Sequence, residues 1–347
     1  MKRSIQMKKL VIMATIGLIM TGSVFAGVVK KTKVEVAFKD FGKFSSEQSE
    51  MLTLDKKVTD SKNDFKGKGI TGKLSGTFFL KSGETGEIID LPAMSITRID
   101  HKKKEYRLEP IERITAGKGA GESSGTDETD VQETEENSDI KIIRSEFKVE
   151  ETAESKTINN FSSKKYVITW VTEWENVKTG EKGTDRLETD VWATPLTGGL
   201  QQAREEEMKF TKAYMQSIGI DADSLQQMML GTNWLALLGS ISGGNQKPQH
   251  QEANFSDEMK KIKGYPVVID GKYFATREGG QNEEEKENDT GGGVKGMLGG
   301  LAKKALKKSP KDGNEPAFTY YTELIEFSPV NVGEDAFQIP ANYKKKG

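Results

Sequence analysis

The chain has no cysteine in 347 residues. A disulfide framework, a thiolate metal site and a thiol nucleophile are therefore excluded, and stability has to come from an apolar core. Histidine is almost as scarce: His101 stands beside Lys102, Lys103 and Lys104, and His250 lies in a polar linker. Two isolated histidines without cysteine do not make the usual zinc site, and neighbouring lysines repel a cation, so both read as structural or solvated and no cofactor is expected. Positive charge is not in excess either, with 51 Lys and Arg against 53 Asp and Glu and a net charge of -2. Sequence-independent nucleic-acid binding needs a concentrated basic surface, and none is evident.

Long apolar runs are confined to the start. Lys2, Arg3, Lys8 and Lys9 form a positive n-region, Leu10 to Met20 an apolar h-region, and Ser23-Val24-Phe25-Ala26 a small-residue cleavage site. These features read as a Sec signal peptide over residues 1–26, cut after Ala26, with the mature chain in the periplasm. A membrane anchor is the alternative, but a spanning helix needs about 20 apolar residues and Thr21, Gly22 and Ser23 interrupt the run. With no cysteine to acylate, a lipoprotein anchor is not expected. Removal of four basic and no acidic side chains takes the net charge from -2 to -6.

Period-two alternation dominates the mature chain. Val34, Val36 and Phe38 share one face of a strand whose other face is Lys33, Glu35, Ala37 and Lys39. Further strands are expected at Leu74-Gly76-Phe78-Leu80, Met94-Ile96, Tyr106-Leu108, Tyr166-Ile168-Trp170-Trp174, Thr189 to Ala193, Pro266 to Ile269, Lys272 to Thr276 and Thr319 to Phe327. Turns are read at Lys178 to Gly183 and at Asp270-Gly271.

Residues 199–241 read as helical. Ala203, Phe210, Ala213, Tyr214 and Ile218 form one stripe, with the charged run Arg204 to Glu207 largely opposite. A second segment, Ser224 to Leu238, is rich in Met and Leu, including Met228, Met229 and Trp234. It is apolar around enough of its circumference to need cover on more than one side. Composition predicts disorder over 116–139, 242–252 and 279–316. Within the last tract, Val294 to Lys308 alternates apolar positions with lysines in the manner of a membrane-surface helix, giving a candidate peripheral membrane contact. Its glycines Gly296, Gly299 and Gly300 favour a solvated loop instead.

Motif chemistry is thin. Gly121-Glu122-Ser123-Ser124-Gly125 has the letters of a nucleophile elbow but sits in an acidic tract rather than at a strand-to-helix turn. Gly67 to Lys73 imitates a P-loop, yet Leu74 replaces the hydroxyl required for magnesium. Asp40-Phe41-Gly42 lacks every other part of a kinase.

Several short segments resemble those of bacterial exported proteins related to the lipoprotein-localisation factors LolA and LolB. They are Ser95 to Asp100 leading to Lys104 to Pro110, Ser163 to Ile168, Asp190 to Pro195, Lys263 to Val267, and Ala336 to Lys344, the last with Asn342 where a glycine is common. The resemblance implies an α+β fold over residues 27–347, a strongly curved antiparallel half-barrel with helices covering the concave face. It carries no catalytic residue.

The expectation is therefore a periplasmic, non-enzymatic module that binds an apolar ligand, a lipid or the lipidated end of a partner. Candidate cavity residues are Phe78, Leu80, Trp170 and Trp192 from the sheet, and Met228, Met229 and Trp234 from the helices. Ordinary core packing is the competing role for each. One rival function is a structural or sensing envelope module, filled by its own side chains and acting through surface contacts. The other is a hydrolase, which lacks motif, metal and nucleophile signals.

Overall fold

The computed structural model describes residues 27–68, 82–113, 139–219, 252–279 and 314–346. Twelve strands form one open sheet: β1 Gly27–Phe38, β2 Gly42–Leu52, β3 Lys56–Gly67, β4 Gly83–Asp90, β5 Ser95–Asp100, β6 Glu105–Pro110, β7 Ile140–Ile158, β8 Phe161–Asn176, β9 Lys182–Thr194, β10 Tyr265–Glu278, β11 Phe318–Val330 and β12 Lys344–Lys345. Their order is β12-β6-β5-β4-β3-β2-β1-β11-β10-β9-β8-β7. Two meanders, β1 to β6 and β7 to β11, thus meet at the β1–β11 pair. Every pairing is antiparallel except that of β12 with β6, so the sheet is mixed.

This overturns the expected α+β half-barrel with helices covering its concave face. The fold is mostly β, the sheet does not close, and two helices occur among the described residues, α1 Gly198–Ser217 and α2 Glu252–Met259. Strands β2, β3, β4 and β7 lie outside the expected set. Stretches such as Ser45-Ser46-Glu47-Gln48 and Asp60-Ser61-Lys62-Asn63 are polar at successive positions, so they carry no apolar alternation to read. Residues 266–276 are not a hairpin. β10 runs straight through Asp270-Gly271, and at Gly271 the strand backbone passes close to β9, where an added Cβ would stand 3.3 Å from Thr189 Oγ1. The turn at Lys178 to Gly183 is present, with Gly180 at φ +70° between β8 and β9.

The alternation read in β1 fixes the two faces. Val34, Val36 and Phe38 point to the helix face and join Tyr166, Ile168, Leu187, Val191, Ile269 and Phe318 in the largest core cluster. Helix α2 closes this core at the β7 side, where Phe255 meets Phe147 with ring centroids 4.6 Å apart. Helix α1 lies further along the same face. Ala203, Phe210, Tyr214 and Ile218 pack with Val28, Leu52, Ile89, Ile111, Leu324 and Phe327. The opposite, open face is polar at mid-sheet and apolar to either side. On β3 to β6 the C-terminal segment covers it, with Phe337, Ile339 and Tyr343 against Val58, Ile88, Ile99 and Tyr106. On β9 and β10, Trp192 and Val268 are cross-strand partners and both are buried.

The sheet's edges are blunted. β12 is two residues long. β7 is bulged twice, and Glu258 of α2 accepts the Val149 N–H at 2.7 Å. A bulge, a charge and a covering helix are the usual devices against edge-to-edge pairing.

Candidate functional site

A groove with a volume of about 670 Å³ lies on the open face, across the middle of the sheet. Strand register explains its shape. Lys31, Ser49 and Asp60 occupy one cross-strand row, and Lys33, Glu47, Lys62 and Glu84 the next row on the same face. Between them stand Thr32, Gln48, Ser61 and Thr85, whose side chains turn to the helix face, so the floor there is backbone. With neighbouring strands about 4.8 Å apart, the groove runs roughly 20 Å from β11 to β4.

Each end has a distinct boundary. At β11 the register shifts opposite Lys31 and Thr32, and the extra residue, Ile325, is left 42% exposed at the groove. At the other end His101 follows β5. One ring nitrogen, Nε2, is 3.0 Å from Asp60 Oδ1, and Nδ1 is 3.0 Å from the Tyr343 hydroxyl. Neutral imidazole satisfies both contacts when Nε2–H donates to Asp60 and Tyr343 O–H donates to Nδ1. The ring fits because residue 86 of β4 is glycine, where an added Cβ would stand 2.7 Å from His101 Nε2. His101 therefore ties the C-terminal segment to β3. With both nitrogens engaged it is not a free general base.

Three lysines and three carboxylates line the groove. Some are neutralised locally: Lys31 pairs with Glu326 at 2.8 Å and Lys33 with Glu35 at 3.2 Å. Glu47, Lys62 and Glu84 stand side by side in one row as minus, plus, minus, and none has an ion-pair or side-chain hydrogen-bond partner among the described residues. Among those residues no cluster of three or more His, Asp or Glu is arranged to hold a metal ion. The chemistry this arrangement supports is reversible charge pairing.

A second charged cluster is buried under α1. Glu207, 8% exposed, accepts hydrogen bonds from Lys30 Nζ of β1 at 2.7 Å and from Arg204 at 2.7 Å. The Tyr265 hydroxyl of β10 donates to it at 3.3 Å. Burial pushes the Glu207 carboxyl up, but Lys30 and Arg204 outweigh this and hold it below its ordinary value. Burial likewise pulls Lys30 down, and Tyr265, Glu207 and Glu50 more than offset it, leaving the ammonium raised. With every member engaged by another, this cluster acts as an anchor for the helix.

The expected apolar site is not assembled by the described residues. Trp170 and Trp192 lie on opposite faces, because Trp170 is opposite Leu187 and Trp192 is opposite Lys165 in one continuous register. Trp170 is half-buried against the α2-side core and donates to Ser145 Oγ at 3.4 Å. Trp192 is buried and carries Lys156 Nζ 3.9 Å above its ring. Phe78, Leu80, Met228, Met229 and Trp234 lie outside the described residues, as do the signal peptide and Val294 to Lys308. Conversely, sequence reasoning misses the groove charges. The pairs Glu47/Ser49 and Asp60/Lys62 do repeat with period two, which is the signal of a polar strand face.

No protein-family model, curated protein or solved structure matches this chain.

Proposed function

We propose that this protein is an exported, non-enzymatic module of the cell envelope that works through surface contacts, made in the groove on the open face of its sheet. The observation that carries this reading is the division of the two faces. The helix face carries the two large apolar clusters that pack with α1 and α2, whereas the groove presents charges that are unpaired among the described residues, on a floor of paired strands. A site on paired strands is positioned more firmly than one on loops. The size of the groove falls within the range of ordinary binding clefts. The proposed export rests on the n-region, h-region and Ala26 cleavage site.

The test places a photo-crosslinking amino acid at Ile325 in the full chain, in cells, with a second position at Lys272 on the same face outside the groove. Adducts are expected in the periplasmic fraction from position 325, absent from 272, and lost when Lys62→Glu is added. Equal adducts from both positions, or adducts indifferent to Lys62, would remove the groove from consideration.

A further inference from the structure

Building on the surface-contact reading above, we infer that the groove takes an extended polypeptide segment carrying alternating basic, acidic and basic side chains on one edge. The geometry is a ladder of three charges. Glu47 of β2, Lys62 of β3 and Glu84 of β4 are directly cross-strand from one another, at steps of about 4.8 Å. They face the same side and are unpaired among the described residues.

A polyanion would meet one free ammonium flanked by two carboxylates, and a polycation the reverse conflict at Lys62. An occupant with both signs in the order plus, minus, plus matches all three. In an extended chain, side chains two residues apart share an edge and stand about 6.8 Å apart. The flexible stems of lysine and glutamate absorb the difference from the strand spacing. The groove also suits a peptide in its other features. At its β11 end exposed Ile325 offers an apolar contact. The groove carries the hydroxyl of Ser49 on the wall that faces the ladder. No Phe, Tyr or Trp among the described residues lines it, so it lacks the stacking platform that a sugar ring or a nucleobase would use.

The experiment uses two fluorescein-labelled, end-blocked nonapeptides in a Gly/Ser background. One carries lysine-serine-glutamate-serine-lysine at its centre and the other glutamate-serine-lysine-serine-glutamate, and fluorescence anisotropy reads binding to the full mature chain. With exposed ion pairs worth about 0.2–1 kcal/mol each, the first peptide should bind roughly tenfold tighter than the second at low salt. The preference should shrink as salt is raised. In the triple variant Glu47→Lys, Lys62→Glu, Glu84→Lys the preference should invert. Far-UV circular dichroism establishes that the triple variant folds. If it does not, Lys62→Ala alone must reduce the discrimination. Equal affinities, saturation by neither peptide below about 1 mM, or a preference indifferent to these substitutions would overturn the inference. If Lys62-dependent crosslinks at position 325 form in cells while neither peptide discriminates, the surface-contact reading stands and only the peptide chemistry fails.

Discussion

Replacing Glu207 with alanine is the sharpest test of how α1 is held to the sheet. Glu207 is the one charged residue among the described side chains that is buried as a whole, and its two oxygens satisfy Lys30 and Arg204 at 2.7 Å each. Removing it leaves two cations facing each other under the helix, each with a side chain only 19% exposed. Breaking a buried ion pair from one side costs about 3–5 kcal/mol, because the abandoned charge has no partner. Urea denaturation followed by tryptophan fluorescence should show that loss as a lower midpoint at unchanged slope. Lys30→Met combined with Glu207→Leu should cost less than the sum of the two single changes, by about 1–3 kcal/mol.

The same cluster predicts a pH dependence. The Glu207 carboxyl is lowered in the folded protein from an ordinary value of 4.5. Its contribution is therefore complete above 4.5 and lost as pH falls through the lowered value. Lys30 is raised above its ordinary 10.5, so its contribution is complete below 10.5 and lost as pH rises through the raised value. Stability from this cluster should be flat between those limits, and Glu207→Gln should flatten the acid limb while sparing the neutral plateau shape. A cost for Glu207→Ala below about 1 kcal/mol, with the acid limb unchanged, would refute the anchoring argument.

Tyr343→Phe removes the 3.0 Å contact with His101 Nδ1 and should cost about 0.5–1.5 kcal/mol. It should also speed carboxypeptidase removal of Lys346, Lys345 and Lys344, since β12 is held to β6 only beside this latch; an unchanged trimming rate would show that the latch holds nothing. Intact mass and Edman sequencing of periplasmic material should find Gly27 first, and recovery of Met1 from a membrane fraction would refute cleavage after Ala26.

The legible part of the fold was the part whose strands have one apolar face. β1, β8 and β11 announced themselves through Val34-Val36-Phe38, Tyr166-Ile168-Trp170 and the Thr319 to Phe327 stretch, and α1 through its Ala203, Phe210 and Tyr214 stripe. β2 and β3 did not, because at mid-sheet both faces carry polar side chains: Ser46, Gln48, Ser61 and Asn63 on one, Glu47, Ser49, Asp60 and Lys62 on the other. Their strand state is enforced by neighbours on either side, a tertiary constraint that local propensity does not record. Glu207 reads as solvated with the rest of its charged run. Its burial depends on Lys30, 177 positions away in the chain, and no local pattern encodes such a partner. The groove is likewise a product of register. A slip of one residue between β2 and β3 would send Lys62 to the helix face and dissolve the ladder.

That dependence on register separates the groove from ordinary solvated strand surface. Several charges on the open face pair with neighbours: Lys31 with Glu326, and Lys33 and Lys43 with Glu35. Glu47, Lys62 and Glu84 are opposed across adjacent strands with the right signs to do the same, yet they form no ion pair with one another. Exposed pairs contribute little to stability, so leaving these three open costs the fold little. It keeps three charges in one row available on a scaffold whose other face is locked by Glu207 and by the α2 contacts. A surface of this kind gains most of its discrimination from the order of signs along the row, and this is why reversing all three charges should reverse the preference of the groove for a partner rather than abolish it.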